Sequence, residues 1–177
     1  MVMIVQVVGY QNSGKTTLMT EMIGYFQAQG YRVGALKHHG HDASAPTIAK
    51  EKDSYRYLQA GADVSMVEGD GTFQLLANFP EEDIEMKLRL LQCFDLDIVF
   101  IEGYKNLSYP KVLMLRQEED LQLIDTLNHV IAICAFPALI KKVEQRSLVD
   151  NIFSIHDRSR FLEWLKGWVI KEMNKPA

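Results

Sequence analysis

A three-layer α/β sandwich with a mostly parallel sheet at its centre is predicted by three features of the sequence. Short apolar runs rich in β-branched residues, such as "MIVQVV" and "DIVFIE", read as strands buried on both faces. Amphipathic stretches with helical spacing alternate with these runs. No stretch of low complexity, fixed repeat or linker rich in Pro, Gly and Ser divides the 177 residues, so residues 1–177 are expected to form a single domain.

The elements follow in order. Met3 to Val8 is the first strand and ends at Gly9. Thr16 to Gln29 is a helix with Leu18, Met22, Ile23 and Phe26 on its apolar side and Gly30 closing it. Arg32 to Lys37 is a second strand, so the chain opens with a right-handed parallel unit. His38 to Lys52 is polar, contains Pro46 and reads as a loop. Asp53 to Ala60 is a short helix capped by Asp53 and stopped by Gly61. Val64 to Glu68 and Thr72 to Ala77 flank "GDG", the pattern of a hairpin. Glu81 to Cys93 is helical, with Ile84, Leu88 and Leu91 in a stripe and an acidic first turn. Asp97 to Glu102, Lys111 to Arg116 and His129 to Cys134 are further strands. His156 to Lys171 is a terminal helix carrying Phe161, Leu162, Leu165, Trp168 and Val169 on one side.

Bulk properties exclude several classes of function. The net charge of −4 offers no basic surface for nucleic acid. No apolar run is long enough to span a bilayer, and the N-terminus lacks the basic region and cleavage site of a signal peptide. A cytoplasmic location is therefore expected, with Cys93 and Cys134 as reduced thiols.

The stretch "VVGYQNSGKTTL" carries the chemistry. Gly9, Gly14, Lys15 and Thr16 fit G-x-x-x-x-G-K-[ST] between a strand and a helix, the context of a phosphate-binding loop and of the P-loop NTPase fold. The glycines let backbone N–H groups turn towards phosphate oxygens, and the following helix aims its positive dipole end at the same anion. The candidate nucleotide contacts are Gly9, Asn12, Ser13, Gly14, Lys15, Thr16 and Thr17. Lys15 would reach the β- and γ-phosphates, and the Thr16 hydroxyl would ligate Mg²⁺. No G-x-G-x-x-G is present in this stretch, so a dinucleotide site is a poor rival.

Glu102 ends an apolar strand, where open α/β sheets place their ligands. A carboxylate there can bind Mg²⁺ or orient an attacking water, and Glu102 is the candidate catalytic residue. Asp97, at the other end of that strand, should lie far from the phosphates. Lys105 and Lys111 read as solvated lysines that could add positive charge.

"KHHGHD" ends the second strand beside the loop. Lys37 and a histidine could bind phosphate, and Asp42 could assist the metal. Three histidines near a carboxylate invite a zinc reading, but the tight cluster lacks the split-pair spacing of structural zinc sites. In "EKDSYRYLQAGA", Lys52 and Asp53 would approach the nucleotide only if the preceding loop folds over it.

Taken in order, "GYQNSGKTTL", "KHHGHD", "KDSYRYLQAGA" and "IEGYK" resemble the MobB family of molybdopterin-guanine dinucleotide biosynthesis. The resemblance implies a P-loop α/β fold that binds GTP with Mg²⁺ and shows at most weak GTP hydrolysis. It implies an accessory role beside a MobA-type guanylyltransferase, contact with molybdopterin-carrying proteins, and a homodimer with an extended sheet. By position, Gly14, Lys15 and Thr16 take the phosphate and Mg²⁺ roles. Lys37, His38, His41 and Asp42 match the histidine-rich motif, and Glu102, Gly103 and Lys105 match "EG-K". No N-K-x-D motif for reading guanine is present, and "AICAFPAL" stands where an aspartate would be expected. The rival function is a small-molecule P-loop kinase, which needs a lid bearing arginines. The segment 42–52 contains no arginine, and Arg56 is the nearest in sequence to the motifs.

Overall fold

The computed structural model describes residues 2–38, 53–77 and 83–176. Two compact units emerge, Met1–His38 with Phe94–Ala177, and His39–Cys93. In chain order the first elements are β1 (Met3–Val8), α1 (Lys15–Ala28), β2 (Val33–Lys37), α2 (Asp53–Gln59), β3 (Val64–Gly69), β4 (Thr72–Ala77) and α3 (Ile84–Gln92). Then come β5 (Ile98–Glu102), β6 (Lys111–Leu115), α4 (Leu123–Thr126), β7 (Val130–Ala135), α5 (Ile140–Arg146), β8 (Ile152–Ser154) and α6 (Arg158–Met173).

The first unit is built on a parallel sheet of six strands in the order β2-β5-β1-β6-β7-β8. The central strands are apolar because both of their faces are covered. Every residue of β5 and β6 is buried. Successive residues of β6 feed opposite layers. Val112 and Met114 pack with Leu18, Met22 and Phe26 of α1 and with Phe161, Leu165 and Val169 of α6. Leu113 and Leu115 pack on the other side with Leu121, Leu123, Leu139 and Val143. Phe26 anchors α1 by meeting Phe100 edge-on, with ring centroids 5.4 Å apart. The predicted fold class is borne out.

Helix α1 ends as predicted: Gly30 has φ +85° and its N–H donates to the Gln27 carbonyl. The sequence reading did not assign α4, α5 or β8. The first two are a single turn and a seven-residue helix, too short for helical periodicity to register, and β8 has three residues.

The second unit holds a hairpin flanked by two helices in sequence. β3 and β4 pair antiparallel from Val64↔Ala77 to Gly69↔Thr72. The tight loop is Asp70-Gly71, with φ +49° and +71°; positive φ at both central residues is what a two-residue hairpin turn demands. The predicted hairpin is therefore present. Helix α3 starts at Ile84 because the Asp83 side chain caps it, accepting from the Met86 N–H at 2.9 Å. Glu81 and the rest of 78–82 lie outside the described residues. No helix among the described residues is long and apolar enough to cross a membrane.

Candidate functional site

The parallel register sets the site. Lys37 on β2 and Val7 on β1 are both register partners of Glu102 on β5, so three strands end together beneath the 9–16 loop. Gly9 leaves β1 where a side chain cannot fit: a Cβ would lie 2.7 Å from the Met114 carbonyl oxygen and 2.8 Å from Ser13 Oγ. Asn12 at φ +61° and Gly14 at φ +92° then turn the backbone into α1. Gly14 is the N-cap, and no side chain caps the helix. The first N–H groups of α1, at Lys15, Thr16 and Thr17, are thus an anion-binding end. Ser13 Oγ is buried and has no hydrogen-bond partner among the described residues. A buried, unsatisfied hydroxyl in a loop of inward-turning amides fits a phosphate-bearing ligand.

Charged side chains converge on this end. The Thr16 hydroxyl donates to Glu102 Oε2 at 3.0 Å. The Lys37 ammonium lies 3.1 Å from Thr16 Oγ1 and 3.2 Å from Glu102 Oε1. Lys15 donates to the Tyr10 carbonyl at 2.6 Å, and burial pushes its ammonium below the usual lysine range, against the opposing pull of Glu102. A hydroxyl and a carboxylate meeting side by side are the hard oxygen donors that Mg²⁺ takes.

The "EGYK" segment is held from below. Gly103 has φ +96° and Tyr104 φ +52°. Both carbonyls accept from Gln6 Nε2, at 3.0 and 2.7 Å. The ring of Tyr104 stacks on His38 at 4.2 Å, and Lys105 sits 4.2 Å over the Tyr10 ring. Burial holds the Lys105 ammonium low as well.

Most of the predicted residues are thus together: Gly9, Asn12, Ser13, Gly14, Lys15, Thr16 and Thr17 form one turn, with Lys37, His38 and Glu102 alongside. His41 and Asp42, with His39 and Lys52, lie outside the described residues. Among the described residues, no three His, Cys, Asp or Glu side chains gather around a common metal position. Asp97 is at the opposite end of β5, where it accepts from the Arg32 N–H at 2.7 Å.

One reading of a cation is corrected and one is added. Lys111 is not a solvated lysine: it is fully buried, and its ammonium donates to the carbonyls of Leu107 and Tyr109 and to Asn128 Oδ1. Among the described residues of its own unit, Arg116 touches the loop: it donates to the Asn12 carbonyl at 2.6 Å and lies 5.7 Å from the Phe136 ring centre. Arg56, singled out from the sequence, lies on α2 and pairs with Asp53 at 3.5 Å. Arg116 directly follows β6, so the strand-end rule that marked Glu102 marks it too. Gln6, a lone amide inside an apolar strand, was likewise visible. Asp120 was not: it is buried, its Oδ2 accepts from the Arg116 and Gln117 N–H groups, and only the fold brings it near Lys15.

The profile of the family described as "Molybdopterin guanine dinucleotide synthesis protein B" matches residues 4–136, a span that contains all four motif segments. The chain belongs to the MobB family. A Bacillus subtilis protein named as a probable molybdopterin-guanine dinucleotide biosynthesis adapter protein is 45% identical over 130 residues, 73% of this chain and 74% of that one. The crystal structure of Bacillus subtilis MobB matches with a TM-score of 0.72 at 38% identity, covering 93% of this chain and 96% of that one. A MobB homologue from Bacillus stearothermophilus matches at 0.73 and 33%, covering 95% and 98%. The MobB resemblance drawn from the motifs is borne out, and with it the P-loop NTPase fold.

Proposed function

We propose that this MobB-family chain binds GTP with Mg²⁺ and acts as an adapter in molybdopterin-guanine dinucleotide biosynthesis, assisting a MobA-type guanylyltransferase. The observation that carries the nucleotide part is the 3.0 Å approach of the Thr16 hydroxyl to the Glu102 carboxylate beside an uncapped helix start. The backbone of Gly9–Thr17, including Asn12 and Ser13, would cradle the phosphates, and Lys15 would leave the Tyr10 carbonyl to neutralise them. Thr16 and Glu102, with Asp42, would hold Mg²⁺, which polarises the terminal phosphate. Glu102 would also orient water for a hydrolysis that, as the family resemblance implies, is slow at most. Lys37, His38 and His41 would line the phosphate side.

The adapter role is supported by the named relatives, and a cytoplasmic site of action beside molybdopterin-carrying proteins belongs to the same proposal. A homodimer fits the exposed Met66, Val67 and Phe73 on the β3–β4 hairpin. Calorimetric titration of GTP and ATP, each with Mg²⁺, tests the reading. GTP is expected to bind more tightly than ATP, and Lys15→Ala to weaken GTP by about a hundredfold, in line with losing a charge-assisted contact. Unchanged affinity in Lys15→Ala would overturn it. Nucleoside diphosphate formation that speeds up only with a small-molecule acceptor, the phosphate going to that acceptor and not to water, would favour the kinase instead.

A further inference from the structure

We infer that Lys37 is a tethered counter-ion that competes with the divalent metal for Thr16 and Glu102, so that metal binding is coupled to the arrival of phosphate. This rests on the nucleotide reading above. The ammonium of Lys37 touches both candidate metal donors, Thr16 Oγ1 at 3.1 Å and Glu102 Oε1 at 3.2 Å. The Glu102 side chain is 9% exposed, so its charge needs a cation close by. Lys37 supplies one. Its position is set by the fold rather than by chance: Lys37 is the register partner of Glu102 on the neighbouring strand.

A dication on the same two oxygens would stand within a few ångströms of the ammonium, and the like charges repel. Either the metal or Lys37 holds the pair. Lys37 can yield, because its side chain is 44% exposed and its four-carbon stem is flexible. Thr16 and Glu102 are more constrained, one on the first turn of α1 and the other buried at the end of β5. A bare metal ion therefore has to expel a cation that is already satisfied. Phosphate oxygens change the balance in two ways: they add negative charge for the metal, and they offer the displaced ammonium a new partner. Lys37 thereby makes the metal site selective for the metal–nucleotide complex over the metal alone.

This differs from a plain phosphate-ligand role for Lys37 in one measurable respect. A phosphate ligand has no influence on metal binding when no phosphate is present. The experiment is titration of Mn²⁺ alone, by electron paramagnetic resonance, into the nucleotide-free full chain and into Lys37→Ala and Lys37→Arg. Lys37→Ala is expected to bind Mn²⁺ about tenfold more tightly than wild type, and Lys37→Arg to stay near wild type because it keeps the cation. Lys37→Gln replaces Lys37→Ala if circular dichroism shows the alanine variant to be unfolded. Equal or weaker Mn²⁺ binding in the folded neutral variant would overturn the inference, as would an arginine variant that behaves like alanine. If wild type binds no GTP with Mn²⁺, the proposed function fails; if it does and the neutral variant gains nothing, only the role of Lys37 fails.

Discussion

Lys111 and Glu102 are both buried charges on the parallel sheet, on strands separated only by β1, yet they are held in opposite ways. Lys111 opens β6. Its three donors go to two backbone carbonyls and an asparagine oxygen, none of which carries a charge or faces another demand. Glu102 closes β5. Its partners are a threonine hydroxyl and a half-exposed lysine, both able to bind something else. The same contrast runs along the two ends of the sheet. Arg32, Asp95 and Asp97 tie the start of β5 to the start of β2, and the Arg32 N–H, helped by its guanidinium, holds the Asp97 carboxyl below the usual range. At the other end, Lys15 rests on a carbonyl of its own loop, and Ser13 Oγ has no partner among the described residues. One end spends its polar groups on the fold. The other keeps them in exchangeable or unfinished contacts, which is where a ligand can gain from binding.

The sharpest way to break that contrast is to exchange the two effects. Lys111→Met removes a fully satisfied ammonium and leaves three acceptors without their donor. It is expected to cost about 3 kcal/mol of stability in urea unfolding and to leave GTP affinity within a few-fold. Glu102→Gln is expected to do the reverse: stability within about 1 kcal/mol of wild type, and Mg²⁺-dependent GTP affinity down by tenfold or more. If Glu102→Gln proves the more destabilising, the polar end of the sheet belongs to the fold and the division collapses.

Much of the exchangeable end was legible because its signals are local. Gly9 to Thr16 is a contiguous motif between a strand and a helix, and Glu102 ends an apolar run. The fixed lysine was not, because burial of a lysine cannot be read from its neighbours in sequence, even one register step from the Glu102 level. "YPKVLML" reads equally well with Lys111 in solvent, and only the Leu107–Tyr109 turn and Asn128 show otherwise. The order β2-β5-β1 was hidden for a similar reason: β5 inserts between β1 and β2 from sixty residues further along the chain. The strands themselves were plain, since continuous apolar runs such as "IVFIE" are what two covered faces require. The short α4, α5 and β8 owe their form to packing against Leu113, Ile133 and Ala135 rather than to a pattern of their own.

A smaller effect sharpens the boundary of the exchangeable end. Arg116 follows β6 and reaches across to the Asn12 carbonyl, on the turn where φ is positive. Its own N–H is held by buried Asp120, so the guanidinium is aimed by the backbone rather than by the loop. Arg116→Ala releases the Asn12 turn without removing a phosphate contact. About tenfold weaker GTP binding, carried by faster dissociation with stability nearly unchanged, is expected from loss of one charged hydrogen bond. Equal affinity in stopped-flow measurement would place Arg116 with the surface charges instead.

The thiols give the mildest probe and test whether the fixed lysine governs opening of the β6–β7 ladder. Cys134 lies in β7, register-paired with Met114 of β6, and burial pushes its thiol up to about 12. Cys93, on the other compact unit, is exposed. At pH 8 the buried thiol is only about 0.01% thiolate even before access is considered, since each pH unit below its pKa removes a factor of ten. A disulfide reagent should therefore label one cysteine quickly in the native protein and the second only in denaturant. The sign is fixed by the direction of the shift: labelling of Cys134 speeds up as pH rises towards 12. Lys111→Met should accelerate native labelling of Cys134, because the β6–β7 ladder begins at Lys111↔Val130 and loses its anchor there. Glu102→Gln should not, since its strand end opens onto the ligand loop and leaves β6 and β7 paired. Equal acceleration by both variants would mean that β5, β6 and β7 open as one cooperative unit, and the contrast between Lys111 and Glu102 would then concern ligand binding alone.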